Sequence, residues 1–192
     1  MKALRIFVVL IIMLWALPAF AQIDPELLKK AENRDASAQF NLGMMYLTGQ
    51  GVPTSYTKAV QWFQKAAEQG YAPAQLTLFG AYANGEGVPK DEAKAVYWAE
   101  KAAEQGHAKA QYLLGLMYFQ GKGALKDNSK AAIWWEKSAE QGYADAQYAL
   151  GTMYGLGQGV IRDWQKACTL YRASAEQGQR EAIESYNKIC AD

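Results

Sequence analysis

The 192-residue sequence is short of the residues from which most reaction centres are assembled. It holds one histidine, His107, and two cysteines, Cys168 and Cys190. A lone imidazole supplies neither a zinc ligand set nor the base of a serine or cysteine triad. The cysteines are not in a C-x-x-C arrangement, which excludes the common redox pair. No G-x-x-x-x-G-K-[ST] loop and no strand-preceded G-x-G-x-x-G occurs, so phosphate cradling has no motif to rest on. Charge of a dominant sign is also missing: 20 basic residues face 19 acidic ones, which removes the electrostatic reason for binding nucleic acid or an anionic membrane. With 51% hydrophobic residues the chain is not of disordered composition either. No enzyme, cofactor or metal centre is expected, and no cofactor is implied.

Long apolar runs are confined to the beginning. Lys2 and Arg5 precede an apolar stretch from Ile6 to Leu17, and Ala19-Phe20-Ala21 has the small-x-small form of a cleavage site. Residues 1–21 therefore read as a signal peptide, with a mature start at Gln22 and a location in the periplasm or outside the cell. An uncleaved anchor is the alternative, but the run is shorter than the roughly 20 residues a spanning helix needs. Removing Lys2 and Arg5 from the 20 basic residues leaves 18 against 19 acidic ones. No integral membrane segment is expected after leader removal.

What the chain does contain is a ruler. "AEQG" occurs at Ala67–Gly70, Ala103–Gly106, Ala139–Gly142 and Ala175–Gly178, each copy 36 residues after the last. "AQFNLGMMYLTGQGV" from Ala38 is matched at the same interval from Ala74, Ala110 and Ala146. Periods of 20 to 50 residues mark stacked units that have no core of their own. Ala38, Leu42 and Tyr46 fall at i, i+4, i+8, and Ala59, Trp62 and Ala66 at i, i+3, i+7, so each unit holds two helices with one apolar face each. Gly-x-Gly pairs such as Gly49 and Gly51 end the first helix in positive φ. Ser55, Asp91, Asp127 and Asp163 stand where a side-chain oxygen caps the second helix, and the glycine of "AEQG" closes it.

Within "AEQG" the alanine lets a neighbouring helix approach, and Glu and Gln are expected to face water or bond to the next turn. A catalytic row of Glu68, Glu104, Glu140 and Glu176 is the disfavoured alternative, because translation spaces carboxylates at the repeat distance instead of pairing them. Trp62, Trp98 and Trp134 recur in register with alanines; packing is the favoured reading and ligand binding the alternative. Burial of roughly 150–250 Å² at about 25 cal/mol per Å² gives each several kcal/mol of gross transfer energy.

The pattern A-x-A-Q-x-x-L-G-x-x-Y-x-x-G-x-G-V followed by D-x-x-K-A-x-x-W-x-x-K-A-A-E-Q-G resembles the Sel-one-like repeat, a relative of the tetratricopeptide repeat. The resemblance covers residues 36–179 in four copies. Residues 22–35 read as an N-terminal half-repeat or cap helix, and 180–192 as a C-terminal capping helix with polar Glu181, Glu184 and Lys188. The implied fold is all-α, a right-handed α/α superhelical solenoid of helix pairs. Phe79 replaces the glycine found as Gly43, Gly115 and Gly151, which predicts shifted packing in the second unit, and Leu170 replaces the tryptophan in the fourth. The resemblance implies a non-catalytic scaffold for protein–protein interaction in the bacterial envelope. The alternatives it carries are a periplasmic immunity protein against a phospholipase-type secreted toxin and a secreted host-interaction factor. Cysteine-rich relatives linked to penicillin binding and weak β-lactam hydrolysis have a disulfide per repeat; that pattern is absent, which counts against this activity.

Cys168 lies ten residues before Gly178 and Cys190 eleven after Gln179. In an antiparallel hairpin turning there, both lie about 16 Å from the bend at 1.5 Å per residue and face each other, so a disulfide is expected, two free buried thiols being the alternative. The partner is expected to be a protein. A candidate groove runs along the first helices, on the face away from the Ala38, Leu42 and Tyr46 stripe. It comprises Ser37, Asn41, Met44 and Thr48; Pro73, Thr77, Gly80 and Asn84; Lys109, Leu113, Leu116 and Gln120; and Asp145, Ala149, Thr152 and Leu156. Leu113, Leu116 and Met44 are its expected apolar contacts. That these are ordinary surface positions is the competing reading.

Overall fold

The computed structural model describes residues 23–190; the predicted leader and its cleavage point lie outside them. Among the described residues there are ten helices and no strand. They are α1 (Pro25–Glu32), α2 (Ala36–Thr48), α3 (Tyr56–Glu68), α4 (Ala72–Asn84), α5 (Glu92–Glu104), α6 (Ala108–Gln120), α7 (Asn128–Glu140), α8 (Ala144–Leu156), α9 (Trp164–Ala175) and α10 (Arg180–Ile189). Each helix packs on the one before it and the one after it, giving the stacked helix pairs of a solenoid.

The punctuation follows from local chemistry. The Ser55 hydroxyl accepts the Lys58 backbone N–H at 3.3 Å, and the carboxylates of Asp91, Asp127 and Asp163 accept those of Lys94, Lys130 and Lys166 at 3.0, 2.9 and 3.0 Å. The Lys94 amide is also the main reason the Asp91 carboxyl sits below its ordinary pKa. Gly49 ends α2 at φ 75°, the left-handed conformation that costs glycine least. Gly87 has a second duty besides its φ of 76°: a Cβ there would lie 2.5 Å from the Tyr56 carbonyl, so the turn seats on the start of the preceding repeat's second helix.

Packing inside three of the four pairs sets a glycine against an aromatic ring. A Cβ on Gly43 would lie 2.5 Å from Phe63, one on Gly115 2.5 Å from Trp135, and one on Gly151 3.0 Å from Tyr171. These three rings are buried, and they stand one residue beyond the tryptophan column read from the sequence. That column packs as well, but to unequal depth. Trp98 is enclosed at 7% exposure, but Trp62 and Trp134 are half-buried, with Lys65 Nζ 3.8 Å and Lys137 Nζ 4.3 Å from their ring centroids. The reason is position: Trp62, Trp98 and Trp134 lie in the seam between their own first helix and the preceding unit, whereas Phe63, Trp135 and Tyr171 sit against the glycines of their own first helix.

In the second unit the sizes are exchanged. Phe79 stands where the others have glycine, and Ala99 stands where they have the ring. Phe79 packs against the cluster that contains Ala99, so large and small trade sides, and α4 and α5 still pair as the other helices do. The shift expected from Phe79 alone is absorbed by its partner column.

A ladder of amides ties the units together. Gln39 Nε2–H donates to the Ala31 carbonyl at 2.9 Å, and the Gln39 Oε1 accepts from Gln69 Nε2 at 2.7 Å. The same step recurs through Gln75 and Gln105, Gln111 and Gln141, and Gln147 and Gln177, with amide–amide distances of 2.7, 2.7 and 2.8 Å. Gln75, Gln111 and Gln147 donate in turn to the carbonyls of Ala67, Ala103 and Ala139 in the preceding second helix. The glutamine of "AEQG" therefore does more than face water: it satisfies a buried amide 30 residues earlier. An unmet buried polar group costs about 1–3 kcal/mol, which explains why both glutamines recur.

The last two helices are joined covalently. Cys168 and Cys190 form a disulfide with Cα atoms 5.6 Å apart, bridging α9 to the end of α10.

Candidate partner-binding surface

The first helices α2, α4, α6 and α8 turn Ala38 and Leu42, Ala74 and Leu78, Ala110 and Leu114, and Ala146 and Leu150 into the core. What remains along them is the stripe proposed from the sequence, and the structure divides it. Ser37, Asn41, Thr48, Pro73, Asn84, Lys109, Gln120 and Leu156 are exposed. Met44, Thr77, Gly80, Leu113, Leu116, Asp145, Ala149 and Thr152 are half-buried.

The half-buried set is already partly employed. Met44 packs on the core between the first and second units, and Leu116 and Ala149 pack on that of the last two. Thr48, Thr77 and Thr152 donate their hydroxyls to the carbonyls of Met44, Pro73 and Tyr148 at 2.9, 2.9 and 3.0 Å, so these groups are committed within their own helices. Thr152 also accepts from the Tyr171 hydroxyl at 3.3 Å. Leu113 belongs to none of the core clusters and is the apolar side chain of the stripe left for an outside contact. Leu156 adds apolar surface at the end of α8, with 61% of its area exposed.

Thr77 and Gly80 border a cleft of about 250 Å³ whose walls include Val60, Phe63 and Leu76. A Cβ on Gly80 would meet nothing within 4 Å, so the stripe has an opening there. Asp145 brings the negative charge of this surface. Burial first, and the Asp145 carboxylate second, push the phenols of Tyr112 and Tyr143 above their ordinary range. These rings lie tilted against one another, 5.3 Å between centroids.

His107 starts α6 as an exposed residue with no side-chain cap bond, the place that Tyr71 and Tyr143 hold in other units. Tyr71 lies against Phe40 with centroids 5.4 Å apart. Among the described residues no cluster of three or more His, Cys, Asp or Glu side chains is placed to hold a metal ion. None of the described helices is long and apolar enough to cross a membrane. The sequence reading missed the amide ladder, although its signal was present as Gln39, Gln75, Gln111 and Gln147 recurring behind a buried alanine.

The Sel1 repeat family model matches residues 36–71, 72–107, 108–143 and 144–179. The chain belongs to the Sel1 repeat family. Among solved structures it is similar to a protective antigen of uropathogenic Escherichia coli strains with an SLR fold, at 42% identity and a TM-score of 0.79 over 84% of this chain and 35% of that one. It is also similar to a Sel1 repeat protein from Oxalobacter formigenes, at 38% identity and a TM-score of 0.77 over 80% of this chain and 63% of that one. An immunity protein from Pseudomonas aeruginosa matches at 25% identity and a TM-score of 0.51 over 87% of this chain and 63% of that one. This Sel1 repeat chain thus spans about a third of the first of these structures and under two thirds of the second. No curated protein matches it.

Proposed function

We propose that this Sel1 repeat protein is an exported, non-catalytic scaffold that binds a protein partner along its first helices, with Leu113 at the centre of the contact. The observation that carries this reading is the division of labour within the repeats. Positions that pack recur from unit to unit, whereas Ser37, Pro73, Lys109 and Asp145, or Asn41, Thr77, Leu113 and Ala149, differ on one shared face. A surface that changes along an unchanging frame suits recognition of an extended segment or a helix. Export is supported by the Cys168–Cys190 disulfide, a bond that persists in oxidising compartments, together with the leader predicted for residues 1–21.

Crosslinking and mass spectrometry in the native cell would identify the partner, and Leu113→Glu is the informative variant. Leu116 packs on the core of the last units, so a charge there would report unfolding instead of binding. We expect Leu113→Glu to melt like the parent while partner capture falls about tenfold or more, the loss of one central anchor. Undiminished capture by a folded Leu113→Glu protein would exclude this surface.

A periplasmic immunity role is the second reading, favoured by the likeness to the Pseudomonas aeruginosa immunity protein. It requires a one-to-one complex with a single toxin and protection of the producing cell, whereas an adaptor co-purifies with an envelope assembly.

A further inference from the structure

The fourth repeat breaks the tryptophan column, and a cleft opens where the indole would lie. In the first unit Ala31, Leu42 and Tyr46 form a bed for Trp62. In the second unit Ala67, Leu78 and Tyr82 receive Trp98, and in the third Ala103, Leu114 and Tyr118 receive Trp134. The matching bed in the fourth is Ala139, Leu150 and Tyr154, and only Leu170 covers it. A cleft of about 560 Å³ lies there between α7, α8 and α9. The bed is correspondingly less sealed: Ala139 is 8% exposed, against 0, 2 and 1% for Ala31, Ala67 and Ala103, and Leu150 is 3% exposed against 0% for Leu42, Leu78 and Leu114.

The rim is acidic. Glu136 and Glu140 stand one turn apart on α7, both exposed, and neither is in an ion pair among the described residues. Asp163 borders the opposite side. The basic group of the lining is Lys166, whose Nζ donates to the Tyr154 hydroxyl at 3.5 Å and lies 4.9 Å from the centroid of that ring.

We propose that this cleft is a docking site for an aromatic side chain of a protein partner, an indole by preference, flanked in its sequence by lysine or arginine. The shape argument is internal, because three beds of the same residue types already hold an indole. The charge argument is the pair of uncommitted carboxylates at the mouth, which attract a cation beside the ring and repel an acidic segment. The fold itself uses this combination: Lys65 lies over Trp62 and Lys137 over Trp134. None of the first-helix stripe residues lines the cleft, so this site stands or falls apart from that surface.

The test titrates the purified chain with N-acetylated, C-amidated Lys-Trp-Lys, followed by calorimetry and by the methyl resonances of Ala139 and Leu170. We expect saturable binding, with Lys-Ala-Lys and Glu-Trp-Glu each weaker by about tenfold or more. Leu170→Trp should refill the bed and abolish binding while raising the melting temperature. Glu136→Lys combined with Glu140→Lys alters two exposed positions, so the fold is not at stake; it should weaken Lys-Trp-Lys by about fivefold or more at low salt and invert its salt dependence. Equal binding of Lys-Trp-Lys and Lys-Ala-Lys would overturn the proposal. So would full affinity in the charge-reversed protein, which decides the matter even if Leu170→Trp does not fold.

Discussion

Adding a single methyl group at Gly115 tests the packing rule that joins each helix pair. A Cβ there would lie 2.5 Å from Trp135 Cδ1 and Nε1 and 3.1 Å from the Ala131 carbonyl. The indole cannot swing away freely, because it is buried and its Nε1–H donates to the Tyr112 carbonyl at 3.0 Å. Overpacking of this kind costs about 1–3 kcal/mol, and loss of the indole hydrogen bond adds roughly 1 kcal/mol. Alanine's better helix propensity returns about 1 kcal/mol. The net for Gly115→Ala is a destabilisation of about 2 kcal/mol, or a fall in melting temperature of about 4–8 °C for a chain of this length. Urea unfolding followed by circular dichroism, run as a double-mutant cycle with Trp135→Leu, isolates the cause. In the Trp135→Leu background the same methyl should be neutral or stabilising, giving a coupling of about 2 kcal/mol. Gly80→Ala is the control: its Cβ would meet nothing within 4 Å, so it should gain about 1 kcal/mol from propensity alone. If Gly115→Ala is as stable as the parent, or costs the same whether or not Trp135 is present, the ring does not limit the approach of the two helices.

Gln111→Leu should cost about 1–3 kcal/mol by leaving the Ala103 carbonyl without its donor and the Gln141 amide with the Lys137 carbonyl alone, and added loss of Gln141 should then be nearly silent in the same urea assay. Replacing both cysteines by serine, or reducing the disulfide, should weaken the attachment of α10 by about 3 kcal/mol, read as faster amide exchange in α10 before any change in α2 to α8. Burial, and then a 2.9 Å hydrogen bond to Glu100, push Tyr118 up to about 12. Since this folded value exceeds the ordinary phenol value, the native state holds its proton longer, and the stability it contributes is intact below about pH 10 and lost as pH rises through 12. Ultraviolet difference titration should show Tyr118 as the last of the raised phenols, after Tyr112 and Tyr143, a phase that disappears in Tyr118→Phe and moves down in Glu100→Gln.

The helix pairs, their caps and their glycine turns were legible because each depends on residues within one turn of one another. Asp91 needs only Lys94, and Gly49 needs only its own φ. What crossed between repeats was harder to read. Gln69 looks like an exposed helix end until its amide is traced to Gln39, and Phe79 looks like a defect until Ala99 is set beside it. A helical wheel distinguishes a helix's inner face from its outer one, but it holds no information about the neighbouring unit. For that reason it picks out Trp62 without Phe63 and offers Met44 and Leu116 as groove contacts, although both lie against an adjoining core. The candidate stripe was legible as a face; which of its members are already occupied was not.

The bridge from Cys168 to Cys190 gives the rod a polarity of wear. At the front, α1 contributes one enclosed residue, Ala31, and is held by packing and the hydrogen bond that Gln39 Nε2–H donates to the Ala31 carbonyl. At the back, α10 likewise encloses one residue, Ala182, but is fastened by a covalent strap. The expected consequence is unequal fraying, with amide exchange faster in α1 than in α10 while the strap is intact and the order lost on reduction.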